Sequence, residues 1–517
     1  MDKRTWIVIL ITTGILFGWQ KFYNEPKQAA STAINLAATQ AQPEAKAALL
    51  APKAKLAELK TVRLDSKTGE LLVSNGARWF SNWKLSNYKN SIDVKSAKAI
   101  DLKSVTNIDE DVQVAFDSSE YTYLNDIQGQ VENTANGILW KYEDQNLKLT
   151  RTFTANGAVN GVKALVTAEF KTKKPNYAFI LLKAKLNEKD PEERDRLLAY
   201  WSGEKIERIL LKDKAEVKDV ALPVKWISAI SHYFVMSIVA DGADAPRGLV
   251  QPLGTNEAQV ALVYPVTQNK IEIPLKVYFG PKDLKDLREF EPTLDHVVDF
   301  GMFTIVAYPL LRIMNWFYKY VGNYGLAIIL LTVLLKIVTY PLTYKSMKSM
   351  KDMARLQPQI EKLKKKYGDN KEALNREMLT LMKGSGANPM MGCLPMLIQM
   401  PVFFALYQVL YNSVELYQTP FFFWIQDLSV KDPFYITPVL LTVLMWLQQK
   451  MTPSTATDPM QQKMMQLMPV MFGVFMISLP SGLTLYMLTN SITSIIQQVI
   501  LNKKLGPNTP ALAGASI

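Results

Sequence analysis

Chemistry in this chain starts from a lone ammonium in an apolar run. Lys336 sits inside GNYGLAIILLTVLLKIVTYPLTYKS, residues 322–346. The run is long enough to cross a bilayer, for which about 20 residues suffice. A cation at mid-membrane costs roughly 2.5–3.5 kcal/mol on insertion scales, so it must face water, a carboxylate or a polar cavity. The alternative is that its four-carbon stem snorkels to the nearer interface, close to Tyr344. Thr332 lies four residues earlier on the same helical face, which gives the span a polar stripe. Gln399, Thr484, Tyr486 and Asn490 are polar groups within later apolar runs and can make a groove wet. Lysine lowered in pKa by burial can also serve as a general base. Ser478, Ser481 and Ser491 are then candidate nucleophiles of an intramembrane Ser–Lys hydrolase. Depth argues against the first two, which flank a turn far from Lys336, whereas Ser491 lies deeper.

Other chemistries are poorly supplied. Cys393 is the single cysteine, so neither a disulfide framework nor a multi-cysteine metal site is available. His232 and His296 stand far apart with no ligand-spaced partner. No nucleotide motif occurs and no cofactor is expected. The 517 residues carry a net charge of +12 and are 48% hydrophobic and 21% charged, a sum of a polar first part and a strongly apolar last third.

The elements that position Lys336 follow in chain order. Residues 1–23 open with Lys3 and Arg4 before an apolar stretch from Trp6 to Trp19. Without a small-residue cleavage site directly after it, this reads as an uncleaved signal anchor starting in the cytoplasm, although Ala29–Ala33 leaves late cleavage open. Residues 24–58 are rich in Ala, Gln, Lys and Pro and read as a flexible tether. Over residues 59–290 alternating runs recur: ELLVSNGARWF, DVQVAF, GILWKYE, LKLTRTF, AFILLKAKL, YFVMSIV, QVALVYPV and IEIPLKVYF. Asn75-Gly76 and Asn160-Gly161 look like hairpin turns. One large antiparallel β-sandwich outside the cytoplasm is the expectation, structural or docking in role.

Residues 299–323 are apolar but hold Pro309, Arg312, Lys319 and an aromatic cluster from Trp316 to Tyr320. If they crossed the membrane, the basic stretch that follows Lys336 would lie outside, against the positive-inside tendency. They are therefore read as an amphipathic helix in the outer interface, within a segment 291–323. Between residues 345 and 389 stand about eleven Lys/Arg against about five Asp/Glu, which makes this segment cytoplasmic. Its pattern predicts a helical hairpin, the first helix starting near Pro358 and broken at Gly368. Apolar runs at 393–412, 434–449, 464–479 and 482–501 complete six spans with both termini cytoplasmic, followed by a short tail at 506–517. The absence of a visible internal repeat weakens a small-solute transporter. The last third is methionine-rich. Met400, Met468 and Met471 are among those that can line a surface tolerant of varied apolar partners, or simply face lipid.

YPLT (340–343), LQPQI (356–360), NPMMGCLPMLIQMPVFFALY (388–407), SVEL (413–416), TDPMQQKMM (457–465) and PSGLTLY (480–486) resemble the YidC/Oxa/Alb membrane-protein insertases. The layout is similar to the Gram-negative bacterial form over essentially the whole chain, by motif from about 323 to 505 and by architecture before that. The resemblance implies a multi-domain inner-membrane protein that is not an enzyme. It would have a periplasmic antiparallel β-sandwich and a five-span core at 324–505 behind an N-terminal anchor, six transmembrane helices in all. It implies a groove open to the cytoplasm and inner leaflet and closed outward, with the charged residue carried onto Lys336, usually an arginine in the family. Lysine lacks the planar fork for bidentate carboxylate capture. The polar contact one turn earlier carries onto Thr332 and the last-span tyrosine onto Tyr486, while Met487 stands where some relatives have a second tyrosine. Implied partners are nascent membrane proteins, the Sec translocon, the ribosome through cytoplasmic loops, and membrane lipids, with no role for DNA.

Overall fold

A computed structural model describes residues 61–505, apart from 67–68, 90–98, 103–111, 156–159, 186–196, 204, 211–216, 221–222, 244, 255–256, 369, 385–388 and 453–458. The expected anchor, tether and tail fall outside these residues.

Each of the eight alternating runs contributes a strand, ELLVSNGARWF running from one strand through a loop to the start of the next. In Leu147–Ala155 the side chains of Leu147, Leu149, Arg151 and Phe153 are buried and those between them face outward, as a period of two requires. Every pairing is antiparallel. A nine-stranded sheet has Lys270–Pro281 between Phe234–Ala240 and Gly161–Phe170. A five-stranded sheet is centred on Tyr177–Lys185 and Glu257–Pro265. Ile180, Leu182, Val260 and Leu262 of the smaller sheet share a core with Ile227, Ala229 and Ile238 of the larger, the packing of a sandwich. A separate four-stranded meander, Thr61–Asp101, supplies Trp79, Phe80 and Trp83 to Phe153 and Phe279.

The two Asn-Gly pairs are not tight turns. Gly69–Ser74 pairs with Phe80–Lys89 across a five-residue loop whose ends meet through Ser74 N donating to Trp79 O at 3.0 Å. Buried Arg151 holds that loop open. Its guanidinium lies 3.9 Å from the Trp140 ring centre and donates to the carbonyls of Gly76 and Ala77. Gly161 is already strand, opposite Tyr278.

After the sandwich come α1 (Leu284–Phe290) and two single turns at Leu294–Val297 and Gly301–Phe303. Helix α2 (Thr304–Val321) follows. The helix occupies Thr304–Val321 of the expected 299–323, within the segment 291–323, and Gly301, at φ 61°, stands just before it. Its buried face, Ala307, Leu310, Leu311 and Met314, follows the helical period, while Ile305, Trp316 and Tyr320 are exposed. The chain between sandwich and α2 is packed: Trp226, Val235, Tyr278, Leu294, Val297 and Phe300 join one core with Leu310, Ile328, Leu406 and Leu485.

Helix α3 (Tyr324–Tyr367) runs 44 residues without a break. No new helix begins near Pro358: both Pro341 and Pro358 are internal, each forgoing one backbone bond rather than ending the helix. α4 (Lys371–Gly384) folds back, setting Met378, Leu381 and Met382 against Met353, Leu356 and Ile360. Then come α5 (Pro389–Asn412), α6 (Ile436–Met451), α7 (Pro459–Met476) and α8 (Ser481–Lys504). α8 packs on α3 and α6, and α7 on α6. Among the described residues one helix, α3, is long and apolar enough by itself to cross a membrane.

α6 and α7 meet at a glycine. A Cβ on Gly473 would fall 1.8 Å from Thr442 Oγ1 and 3.0 Å from Thr442 Cβ. Gly473→Ala should separate the two helices and cost about 1–3 kcal/mol, as overpacking does. Gly473→Ala with Thr442→Ala should recover part of that loss, since the hydroxyl clash goes and the 3.0 Å contact with the Cβ of residue 442 stays, read as apparent Tm in detergent.

Candidate functional site

α8 carries its polar groups at intervals of four and then three: Tyr486, Asn490, Ser494 and Gln497, which share one helical face. α3 lies along that face. Lys336 Nζ donates to Ser494 Oγ at 2.7 Å, and Gln497 Nε2 donates to the Lys336 carbonyl at 3.0 Å. Ser494 Oγ in turn donates to Asn490 O at 2.7 Å. The lysine is half-buried and is held to α8 rather than extended along its own helix. Farther along, Gln399 Nε2 of α5 donates to buried Tyr486 Oη at 2.8 Å.

Thr332 behaves differently from the expectation of a shared wet stripe. It is 1% exposed and its hydroxyl donates to Ile328 O at 2.7 Å, within its own helix. Met400, Met468 and Met471 are 42%, 53% and 65% exposed, on α5 and α7. Ser478 is exposed and donates to Phe475 O, and Ser481 Oγ donates to Val430 O. Ser491 is buried, but the hydroxyl that meets the ammonium belongs to Ser494, three residues on. Ser494 and Gln497 were legible only as members of the four-and-three spacing that includes Tyr486 and Asn490.

One end of this bundle is closed by the 413–435 loop. Leu428 O accepts from Gly482 N, Val430 O accepts from Ser481 N, and Lys431 bridges to Pro480. Asp432, 1% exposed, accepts from Phe434 N at 3.0 Å, Thr437 N at 2.8 Å and Thr437 Oγ1 at 2.7 Å. Thr437 Oγ1 stands 3.2 Å from Thr484 Oγ1 of α8. Burial pushes the Asp432 carboxyl upward, and the bonds from Thr437 and Phe434 outweigh it and hold it below the usual range. Asp427 collects Gln418 N, Ser429 N and Ser429 Oγ.

The end of α5 and the same loop meet the sandwich. His232 Nε2 lies 2.8 Å from Tyr411 O, and Tyr233 and Phe234 pack on Tyr417. Burial, reinforced by Lys282, pushes the imidazole down to about 4, so it is neutral at pH 7. Glu415 accepts from Asn315 Nδ2 at 3.4 Å; loss of solvent, then the nearby Asp283, raises its carboxyl to about 7. A raised carboxyl binds more protons folded than unfolded, so its contribution is full at low pH and fades as pH rises toward 7 and beyond. Relative to the parent, Glu415→Gln should therefore gain apparent Tm as pH goes from 5 to 8, by at most about 1.4 kcal/mol per pH unit. An unchanged difference across that range would show that Glu415 titrates normally.

The model of the 60Kd inner membrane protein family matches residues 316–508, and that of the YidC periplasmic domain matches residues 143–313. A protein of Geobacter metallireducens named membrane protein insertase YidC is 44% identical over 284 residues, 54% of this chain and 53% of its own. One of the same name from Helicobacter pylori is 40% identical over 306 residues, 59% of this chain and 55% of its own. The chain thus spans about half the length of the curated relatives it matches. A solved structure described as an active YidC insertase with its first transmembrane domain resolved is 18% identical, covers 96% of this chain and 99% of its own, and has a TM-score of 0.38.

Proposed function

Because this chain belongs to the YidC family of inner membrane proteins, we propose that it inserts nascent membrane proteins and helps them fold, in the bacterial inner membrane. The observation that carries the reading is the Lys336 ammonium, drawn from the long apolar helix α3 onto the polar face of α8. A translocated hydrophilic segment, acidic ones above all, enters along Lys336, Ser494, Asn490, Gln399 and Tyr486, with Thr332 shaping the wall. The neighbouring apolar segment leaves across the methionine surface of Met400, Met468 and Met471 into lipid, driven by burial of its own apolar area. Six spans, both termini in the cytoplasm and the sandwich in the periplasm complete the arrangement. The basic hairpin of α3 and α4 faces the ribosome and anionic headgroups. The sandwich serves as one contact for the Sec translocon.

A Ser–Lys hydrolase is the second reading, since Lys336 Nζ and Ser494 Oγ are 2.7 Å apart. The polarity opposes it: the lysine donates to the serine, and the serine proton goes to Asn490 O, the reverse of a base accepting a nucleophile's proton. The test follows insertion of a short-tailed membrane substrate by protease accessibility after depletion of the native protein. Cells then carry Lys336→Ala, Lys336→Arg, Ser491→Ala or Ser494→Ala. Failure of the alanine variant at 336, with the other three working, supports a cationic groove. Normal insertion of every substrate by Lys336→Ala overturns it, and loss only in a serine variant, with substrate left uncleaved, favours the hydrolase.

A further inference from the structure

The 413–435 loop combines two features that rarely coexist. It is tied down by Asp427, Asp432 and the Pro480–Gly482 turn, yet it exposes large aromatics: Phe423 is 86% exposed and Phe434 66%, with Phe422 and Tyr435 beside them. Phe423 has φ 59° and Tyr435 φ 57°, a left-handed backbone that bulky residues seldom adopt. Such strain persists where the surroundings impose it, and it is found at ligand clamps. Here the hydrogen-bonded loop holds two aromatic rings toward the exterior.

What these rings meet follows from their neighbours. Asn323 Nδ2 donates to Pro420 O at 3.3 Å, and Phe421 packs so closely on Gly325 that a Cβ there would fall 2.0 Å from its ring. The aromatic loop is therefore fixed to the first turn of α3. The exposed Trp316 and Tyr320 reach the same end of α3 from the last turns of α2, and Tyr318 stacks on Tyr324 at 3.9 Å. Trp and Tyr exposed at the end of an apolar membrane helix belong at the boundary between headgroups and acyl chains, and phenylalanines beside them give that boundary the apolar face of an interfacial anchor.

We propose that Phe422, Phe423 and Phe434 insert into the headgroup–acyl boundary of the outer leaflet beside Trp316 and Tyr320, and that this anchor fixes the depth of Lys336. The inference rests on the membrane reading above. Lys336 is twelve residues beyond Tyr324, about 18 Å along a helix rising 1.5 Å per residue. With Tyr324 pinned at the outer boundary of a hydrocarbon core about 30 Å thick, the ammonium lies in the inner half. There it can be reached from the cytoplasmic side.

The test is nitroxide depth measurement in proteoliposomes of phosphatidylethanolamine and phosphatidylglycerol, on the full chain with Cys393→Ala. Spin labels are placed singly at Phe423→Cys, at Val443→Cys on the exposed apolar face of α6, and at Lys270→Cys in the sandwich. Collision rates with oxygen and with a water-soluble nickel chelate give each depth. The expected result is an oxygen-dominated label at 423, shallower than 443, with a chelate-dominated label at 270. A label at 423 as chelate-accessible as that at 270, while 443 still reads lipid, overturns the anchor and leaves the membrane reading intact. If 443 also reads water, the membrane reading itself fails. A label at 423 that is wet in proteoliposomes but immobilised in native membrane vesicles assigns the aromatic tip to a protein partner and overturns the lipid proposal.

Discussion

In cells whose only copy carries Lys336→Ala, insertion of a substrate with an acidic translocated tail should fall about 10–100-fold, because a charge-assisted hydrogen bond contributes about 1.5–3 kcal/mol and each 1.4 kcal/mol is tenfold. A substrate with a neutral tail should be far less affected, since it loses hydration of the groove but no ionic partner. Lys336→Arg keeps the positive charge and a donor able to meet Ser494, so both substrates should insert at close to the parental level. Ser494→Ala removes the hydroxyl that receives the ammonium while leaving the charge free to meet substrate. Its effect should therefore be small and should not depend on tail charge. Protease accessibility of the two tails in parallel separates a working charge from a merely structural lysine. Equal loss of both substrates in Lys336→Ala would mean that the variant has lost the α3–α8 packing.

Asp432→Ala should produce the largest loss of stability among single loop substitutions. It strips three hydrogen-bond acceptor contacts from Phe434 and Thr437 at the start of α6. It leaves those donors in a site where the carboxylate is 1% exposed. Each stranded donor costs about 1–3 kcal/mol, so a total near 3 kcal/mol and a drop of several degrees in apparent Tm are expected. Thr437 also faces Thr484, so the loss should propagate to α8 and raise the accessibility of the loop to protease. The pH dependence has a definite sign. The Asp432 carboxyl is held below its usual range, so its contribution is present above the unfolded value near 4 and is lost only as pH falls further. The difference between parent and variant should be largest at neutral pH and shrink in strong acid, where the protonated carboxyl keeps only a neutral acceptor. Thr484→Val should reproduce a fraction of the effect, as it removes only the last link.

Lys336 was legible because a cation in an apolar run needs a reason, whatever the fold. Its partner was not, since Ser494 is one of several hydroxyls on α8 and only the packing of α3 selects it. Spacing puts Thr332 on the face of Lys336, whereas the direction of its hydroxyl is not in the spacing: it bonds the carbonyl four residues back, that of Ile328. Asp427 and Asp432 fall between the apolar runs 393–412 and 434–449, where a carboxylate needs no special explanation. Their work in joining the 413–435 loop to itself and to α6 depends on backbone donors that no side-chain pattern reveals. In the sandwich, alternation marked eight strands. The loop at Asn75–Gly76 escaped because Arg151, 75 residues away from Gly76, holds it open. Pro358 reads as a helix start because proline fits a first turn. It equally fits an interior that already continues on both sides, and α3 continues.

That continuity makes α3 a lever. From Tyr324 to Tyr367 it is about 66 Å long, with one end beside the 413–435 loop and the other in the basic hairpin. Buried Lys351 donates to Asn502 O, at the end of α8, at 3.3 Å. That contact gives the rod a second bearing besides Lys336. Pro341 stands between the two bearings, and a proline within a helix is where bending is easiest. The hairpin tip lies about 39 Å from Pro341, so a tilt of about 5° there moves the tip roughly 3 Å. The same tilt leaves the Lys336 end, little more than one turn from the pivot, almost still. A bend of α3 at Pro341 would therefore carry the α3–α4 hairpin and leave the ammonium against α8, and Lys351, about 15 Å beyond the pivot, is the contact that would resist it through Asn502.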